Sequence, residues 1–247
     1  MNLSEELMGA LDIETAFTIV IAGHKIPVTE TVIVSWVVMA LLIIAALVFT
    51  RNLQKIPHGA QALVEGGIEF LNNFSKNQFG KYANVFGPYI GTLFLFLLLA
   101  NLLPALTPVF AMGKAPPFDI KPPTRDINLC AAFALISILL TLVSGIIVRG
   151  PIGWLKTLFN PVPVMLPFNL MEYIIKPLSL CLRLFGNMLG AFIIMSLIDI
   201  VLGNAIKFSI LIPIPLSLYF DFFDGFIQAL VFTFLTALYI SEAVESE

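Results

Sequence analysis

A series of polar and small residues recurs along an otherwise apolar segment between positions 168 and 202. Their successive spacings are four, three, four, three, one and three residues, so in an α-helix they share one face. Small residues let helices approach closely and polar residues form hydrogen bonds between helices, so this face is predicted to meet something other than lipid. The members of this polar stripe are Glu172, Lys176, Ser179, Arg183, Gly186, Asn187 and Gly190.

Arg183 is the residue of the stripe whose chemistry is most demanding. It is too far from either end of the segment to reach water easily, and an arginine at mid-membrane costs about 2.5–3.5 kcal/mol on insertion scales. Its guanidinium stays protonated when buried, so it needs an anionic partner. We expect a carboxylate on another chain; the alternative is an ion pair within this chain, with Asp199, Asp221 or Asp224.

A second polar group occurs near the C-terminus, where Asp221, Asp224, Gly225 and Gln228 follow at steps of three, one and three. Two carboxylates and an amide at membrane depth indicate an ion pathway. The alternatives are a structural polar interface, or aspartates at the outer surface where water reaches them. The sequence shows no Ser/His/Asp arrangement, glycine-rich phosphate loop or histidine cluster, so we expect no catalytic residues, no metal site and no cofactor.

The composition requires these groups to be held in a membrane. Of 247 residues, 59% are hydrophobic and 12% are charged, and the mean hydropathy is +0.97. Ordinary soluble domains have roughly 25% charged residues, so a water-soluble globule is excluded. With 13 basic and 16 acidic residues the net charge is −3, so nucleic acid is not an expected partner. Cys130 and Cys181 lie in apolar runs and are interpreted as packing residues.

Uncharged segments of membrane length predict three roughly upright transmembrane helices, at 31–50, 83–103 and 127–148. Proline after position 103 is expected to end the second helix. An amphipathic helix at 57–80 is predicted to lie on the membrane surface, or alternatively to dock on loops of its own protein. Residues 151–167 contain four prolines and predict an interfacial turn.

Two later segments, 168–202 and 215–241, are longer than a membrane is thick. A straight helix over the first would be about 52 Å long against a hydrocarbon core of about 30 Å, which requires a tilt of roughly 55°. We therefore predict an all-α integral membrane protein with a single domain over 1–247. It has an external N-terminal segment at 1–30 and a C-terminal hairpin of two long, strongly tilted helices.

The string Lys176-Pro-Leu-Ser-Leu-Cys-Leu-Arg-Leu-Phe-Gly-Asn-Met188 closely resembles the signature of the a subunit of F-type rotary ATP synthases. The resemblance covers nearly all of the chain after the first 30 residues. Its other matches are Pro57, Gln61 and Glu65, Asn101-Leu-Leu-Pro104, Pro123-Thr-Arg-Asp-Ile-Asn128, and Gln228.

The resemblance implies a stator subunit that passes protons or Na+ to a rotating ring of c subunits through two half-channels. Arg183 would face the ring carboxylate, with Asn187 and Gln228 orienting the guanidinium or nearby water. Glu172 would line the inner half-channel, and Asp221 and Asp224 the outer one. Asn101, Asp126 and Asp199 are further channel residues that it suggests. Many bacterial relatives carry an acidic residue where this chain has Phe192.

The implied partners are the c-subunit ring, b-type peripheral stalk subunits, the remaining ATP synthase subunits and the lipid bilayer. The implied location is the bacterial plasma membrane, with the thylakoid as the alternative. The family orientation has the N-terminus outside and the C-terminus in the cytoplasm, and loop charges agree weakly, with six Lys/Arg inside against five outside. The rival functions are a secondary transporter whose Arg183 binds an anionic substrate, and an assembly scaffold that transports nothing.

Overall fold

A computed structural model describes residues 15–21, 24–51, 53–54, 56–59, 60–110, 122–159, 164, 166–203 and 218–244. These residues form mainly α-helices, preceded by a two-stranded antiparallel hairpin. The strands are β1 (Thr15–Ile21) and β2 (His24–Thr29), and the helices are α1 (Glu30–Thr50), α2 (Ala60–Phe79), α3 (Ala83–Phe110), α4 (Ile127–Leu158), α5 (Leu166–Gly203) and α6 (Gly225–Val244). Short 3-10 turns occur at Gly80–Tyr82 and Pro123–Arg125, and a π-helical turn at Leu218–Asp224 precedes α6.

Five helical segments of the described chain are long and apolar enough to cross a membrane. This agrees with the prediction of an integral membrane protein. They are Glu30–Thr50, Ala60–Leu103, Ile127–Lys156, Leu166–Ala191 and Phe222–Val244. The first is the most apolar, and its buried residues are Thr31, Ser35 and Val38.

The β-hairpin was not predicted, since 1–30 was interpreted only as an external segment. Strand β1 has the sequence TAFTIVI, whose β-branched residues favour an extended chain. It pairs with β2 in a register that places Thr18 opposite Pro27 and Ile21 opposite His24. Pro27 is tolerated because both strands of a two-stranded sheet are edge strands.

Two proline signals were misread. Helix α3 continues past Pro104 to Phe110, because membrane helices tolerate a proline when neighbouring groups replace the lost hydrogen bond. Helix α4 bends at Gly150, where φ is 74° and ψ is 161°, and Pro151 then begins a further helical stretch to Leu158. The expected turn at 151–167 is therefore helical in its first half, since proline is well suited to the first position of a helix.

Helix α2 has two different halves. In its N-terminal half apolar side chains face outward, with Leu63 81% and Ile68 48% exposed. In its C-terminal half Leu71, Ser75 and Phe79 are buried. The surface-helix interpretation therefore suits the first half, and docking on the protein itself suits the second, although the docking partners are helices and not loops.

The chain divides into two compact units. One contains the described residues of Met1–Ile43, Phe96–Asp126 and Phe185–Ala229, and the other those of Ile44–Leu95, Ile127–Leu184 and from Leu230 onward. The second unit has an apolar core in which the start of α3 packs against the end of α6. Its buried members are Phe79, Ala83, Phe86, Ile90, Ala237, Ile240 and Val244.

Candidate functional site

Helix α5 separates its apolar contacts from its polar stripe. Leu180, Leu184 and Met188 are 2%, 0% and 7% exposed and form the inward side of the helix. Arg183 and Asn187 are exposed, and Ser179 is half-buried. The stripe predicted from the sequence is thus exposed only in part: Arg183 and Gly186 lie at the surface. Lys176 and Asn187 instead form hydrogen bonds with Glu242 and Gln228 of α6.

Arg183 forms no ion pair with any side chain that the structure describes. The ion pairs in this part of the chain involve Lys176 instead. The possible internal partners Asp199 and Asp221 have side chains that lie outside the described residues, although their backbone belongs to α5 and to the π-helical turn. Within the described side chains, then, the guanidinium is exposed and its counter-charge is not supplied.

Asn187 and Gln228 form a direct side-chain contact between α5 and α6. Asn187 Nδ2 donates a hydrogen bond to Gln228 Oε1 at 2.7 Å. Gln228 is only 1% exposed, and its Nε2 is buried without a hydrogen-bond partner among the described atoms. Asn187 therefore fixes the orientation of the glutamine amide and leaves a buried donor available for water or for another acceptor.

The second polar group is arranged differently from the prediction. The steps from Asp221 to Gln228 were counted as α-helical, but Leu218–Asp224 is a π-helical turn and α6 begins only at Gly225. In a π-helix the bonds join residues five apart, so angular positions counted at 3.6 residues per turn do not carry across this junction. Asp224, the last residue of the turn, is half-buried, while Gly225 and Gln228 are buried.

Asn101 on α3 bridges two other segments. Its Nδ2 donates to the carbonyl oxygen of Gly225 at 3.3 Å, and its Oδ1 accepts a hydrogen bond from Thr124 Oγ1 at 2.7 Å. Asn101 and Thr124 are 2% and 0% exposed. Both ends of the asparagine amide are therefore used inside the protein.

Asp126 was suggested as a channel residue and lies buried, with 4% of its surface exposed. Its Oδ2 accepts a hydrogen bond from Thr31 Oγ1 at 2.9 Å, at the start of α1. The Thr31 hydroxyl in turn lies 2.6 Å from that of Thr29. A carboxylate that is buried and hydrogen-bonded in this way ties the end of the hairpin to the turn before α4.

Lys176 forms ion pairs with two glutamates, and all three residues belong to the compact unit that contains Ile127–Leu184 and the residues from Leu230 onward. Its Nζ lies 3.1 Å from Glu172 Oε2 and 2.9 Å from Glu242 Oε2. The same ammonium lies 5.1 Å from the centre of the Tyr239 ring. Glu172, predicted to line the inner half-channel, is thus paired, though its side chain is 55% exposed.

Sequence reasoning missed Thr31, Thr124 and Glu242 as partners of the predicted residues. Glu242 is 66 positions from Lys176, and no local spacing indicates the pair. Thr31 entered the sequence analysis only as the first residue of a predicted helix and Thr124 only within a string that resembles the family, because a lone hydroxyl carries no signal of its own. Among the described residues no group of His, Cys, Asp and Glu could hold a metal ion.

Comparison with known families gives a match over most of the chain. A family model described as the ATP synthase A chain matches residues 32–241, which is most of the sequence. The match includes the whole polar stripe of α5, the Asn101–Thr124 bridge and Gln228.

Proposed function

The chain belongs to the ATP synthase A chain family, and from this premise we propose that it is the ion-translocating stator subunit of the rotary motor. Membership makes it a multi-pass membrane component of ATP synthase that serves ATP synthesis and ion transport, in the membrane sector and not among the catalytic subunits. The proposal adds that it exchanges protons, or Na+, with carboxylates on a rotating ring of c subunits.

The observation that carries the proposal is the exposure of Arg183 in the middle of α5. The segment Leu166–Ala191 is apolar enough to cross a membrane, and Arg183 lies within it on the outward face. An unpaired arginine at that depth costs about 2.5–3.5 kcal/mol or more. Because no described side chain supplies a counter-charge, a carboxylate on a neighbouring subunit is the partner that best offsets this cost.

A permanent cation at one place explains ion exchange by elementary electrostatics. A ring carboxylate is stable in lipid only when it is neutralised, since a bare charge there costs several kcal/mol. Next to a guanidinium the ionised form becomes favourable, so an arriving site releases its ion there. The same fixed charge opposes a cation that would leak directly along the stator.

The remaining residues are assigned around Arg183. Asn187 and Gln228 form the hydrogen-bonded pair one turn further along α5, suited to orienting the guanidinium or nearby water. Asp221 and Asp224 are assigned to the outer half-channel, and Glu172, held by Lys176, to the inner one. Further channel roles for Ser179, Asp126 and Asp199 are proposed on the family resemblance alone.

The proposed partners are the c-subunit ring, the b-type peripheral stalk and the other ATP synthase subunits. The proposed setting is the bacterial plasma membrane, with the N-terminus outside and the C-terminus in the cytoplasm. In that orientation Glu172 lies toward the cytoplasmic side, about 16 Å along the helix from Arg183.

The test compares Arg183→Ala and Arg183→Lys with the control Arg51→Ala, an exposed arginine beyond the end of α1. Assembled complexes are reconstituted in sealed vesicles, and ATP-driven pumping is followed by quenching of a pH-sensitive dye for protons and by uptake of radioactive sodium for Na+. We expect both Arg183 variants to assemble and to stop pumping. Alanine removes the positive charge, and a buried lysine can lose its proton. Normal pumping by an assembled Arg183→Ala complex would refute the proposal, and substrate flux in vesicles holding this chain alone would favour a transporter.

A further inference from the structure

The amide of Asn101 joins three segments that are distant in sequence. It links α3, the turn Pro123–Arg125 through Thr124, and the first residue of α6 through the Gly225 carbonyl. The two residues whose side chains take part are almost entirely buried. All three belong to the same compact unit, as do Asp224 and Gln228.

Gly225 leaves little room for a side chain at this junction. A Cβ atom on Gly225 would lie 3.0 Å from the Asn101 Cβ, at the edge of what real contacts allow. Gly225 is not one of the glycines with positive φ, so its backbone conformation is open to any residue. The missing side chain therefore serves to let Asn101 reach the carbonyl.

The chemistry of the contact calls for an amide. One end must donate to a carbonyl oxygen and the other must accept from a hydroxyl, and asparagine supplies both in one planar group. A carboxylate would place an acceptor against the Gly225 carbonyl, and an aliphatic side chain would leave that carbonyl without this donor. The Gly225 carbonyl settles which way the amide points, because it can only accept a hydrogen bond and therefore faces Nδ2, which leaves Oδ1 to accept from Thr124.

We propose that Asn101 is a positioning residue that, held by Thr124, fixes the junction between the π-helical turn and α6. Gly225 directly follows Asp224 and lies three residues before Gln228, so fixing its carbonyl sets the register between that carboxylate and that amide. π-helical turns inside helices are frequent at functional sites, and here one precedes the residues assigned to ion transfer. This inference rests on the proposed function of Asp224 and Gln228.

This role differs from that of an ion or water ligand lining the outer half-channel. A ligand must present a free polar atom to the pathway, whereas both polar ends of Asn101 are bonded inside the protein and 2% of the residue is exposed. A ligand would also act independently of Thr124. The two roles therefore predict different behaviour when Thr124 alone is changed.

The experiment measures ATP-driven pumping per assembled complex for Asn101→Leu, Thr124→Val, Thr124→Ser and the double variant Asn101→Leu/Thr124→Val. The control Asn84→Leu changes an exposed asparagine on the same helix. We expect Asn101→Leu and Thr124→Val to lower the rate by roughly three- to tenfold, as loss of a buried hydrogen bond would. Thr124→Ser keeps the hydroxyl and should stay near the normal rate, and the double variant should be no slower than Asn101→Leu.

Three results would overturn the inference: a normal rate for Thr124→Val beside a slow Asn101→Leu, effects that multiply in the double variant, or equal losses for Thr124→Val and Thr124→Ser. If Asn101→Leu does not assemble, the two threonine variants decide alone. Arg183→Ala is measured in the same vesicles. Normal pumping by that variant would overturn the proposed function itself, whereas its failure together with normal rates for Asn101→Leu and Thr124→Val would overturn only the positioning role.

Discussion

The hydrogen bond between Asn187 and Gln228 gives a quantitative test of how α5 and α6 cooperate. In Asn187→Leu the 2.7 Å bond to Gln228 Oε1 is lost, and Gln228 is 1% exposed with its Nε2 already unbonded within the described structure. The whole glutamine amide would then lack partners there. Because nothing else described holds it, we expect it to rotate or to draw in water.

The size of the effect follows from what that amide loses. A buried polar group left without its partner costs about 1–3 kcal/mol in water-soluble proteins, and membrane double-mutant cycles average about 0.6 with a maximum near 1.7 kcal/mol. Asn187 is exposed on its helix, so the lower figures apply and we expect a loss of about 1 kcal/mol. If this loss raises the activation free energy for ion transfer by the same amount, about 1 kcal/mol corresponds to a roughly fivefold slower pumping rate.

The assay is the initial rate of ATP-driven pumping per assembled complex, with Asn84→Leu as the matched control on an exposed asparagine. Asn187→Leu and Gln228→Leu should each slow pumping, and the double variant should be no slower than the worse single variant because both remove one contact. The double variant should also be more thermally stable than either single variant, because it leaves no buried polar group without its partner. Rates that multiply in the double variant, or an unchanged rate for Asn187→Leu, would refute this reasoning.

Three further outcomes follow from the packing. Lys176→Met should lower the free energy of unfolding by less than about 1 kcal/mol, because both glutamates bonded to it are more than half exposed. A large, salt-independent fall of the midpoint in a thermal melting experiment would contradict this. Leu184 is 0% exposed, and Leu184→Ala should lower the free energy of unfolding by about 2–4 kcal/mol in a denaturant titration. Leu182 is 52% exposed, and Leu182→Ala should lower it little. Equal losses for the two variants would contradict the faces assigned to α5. Gly145→Leu should reduce assembly measured by complex yield, because even a Cβ there lies 3.3 Å from the Trp154 ring, whereas Gly66→Leu, which has nothing within 4 Å, should assemble normally.

Much of the fold could be predicted because membrane thickness and helix rise act locally on the sequence. A run of about 20 uncharged residues must span the hydrocarbon as a helix, whatever lies beside it. Three such runs were predicted as upright transmembrane helices, and five helical segments of the described chain are long and apolar enough to cross a membrane. The unusual position of Arg183 was also visible in the sequence, since charge and depth depend only on composition and counting.

The wrong predictions concern segments where a local sequence rule did not hold. Residues from Asp221 to Gln228 were counted as α-helical, but the chain forms a π-helical turn there, whose hydrogen bonds join different residues. Pro104 was expected to end a helix that in fact continues to Phe110. The two strands within Thr15–Thr29 lie in a segment that was interpreted only as external, without a secondary structure. These outcomes depend on what packs against the segment, which its own sequence does not state.

The sequence by itself determined the membrane spans, the polar face of α5 and the isolated charge of Arg183, because each follows from periodicity and from the cost of charge in lipid. Only the tertiary structure decided which polar groups meet: Asn101 bonds Gly225 from 124 positions away, and Asn187 bonds Gln228 across 41. Such bonds form where two helices happen to bring donor and acceptor within about 3 Å, a condition set by the packing of the whole chain.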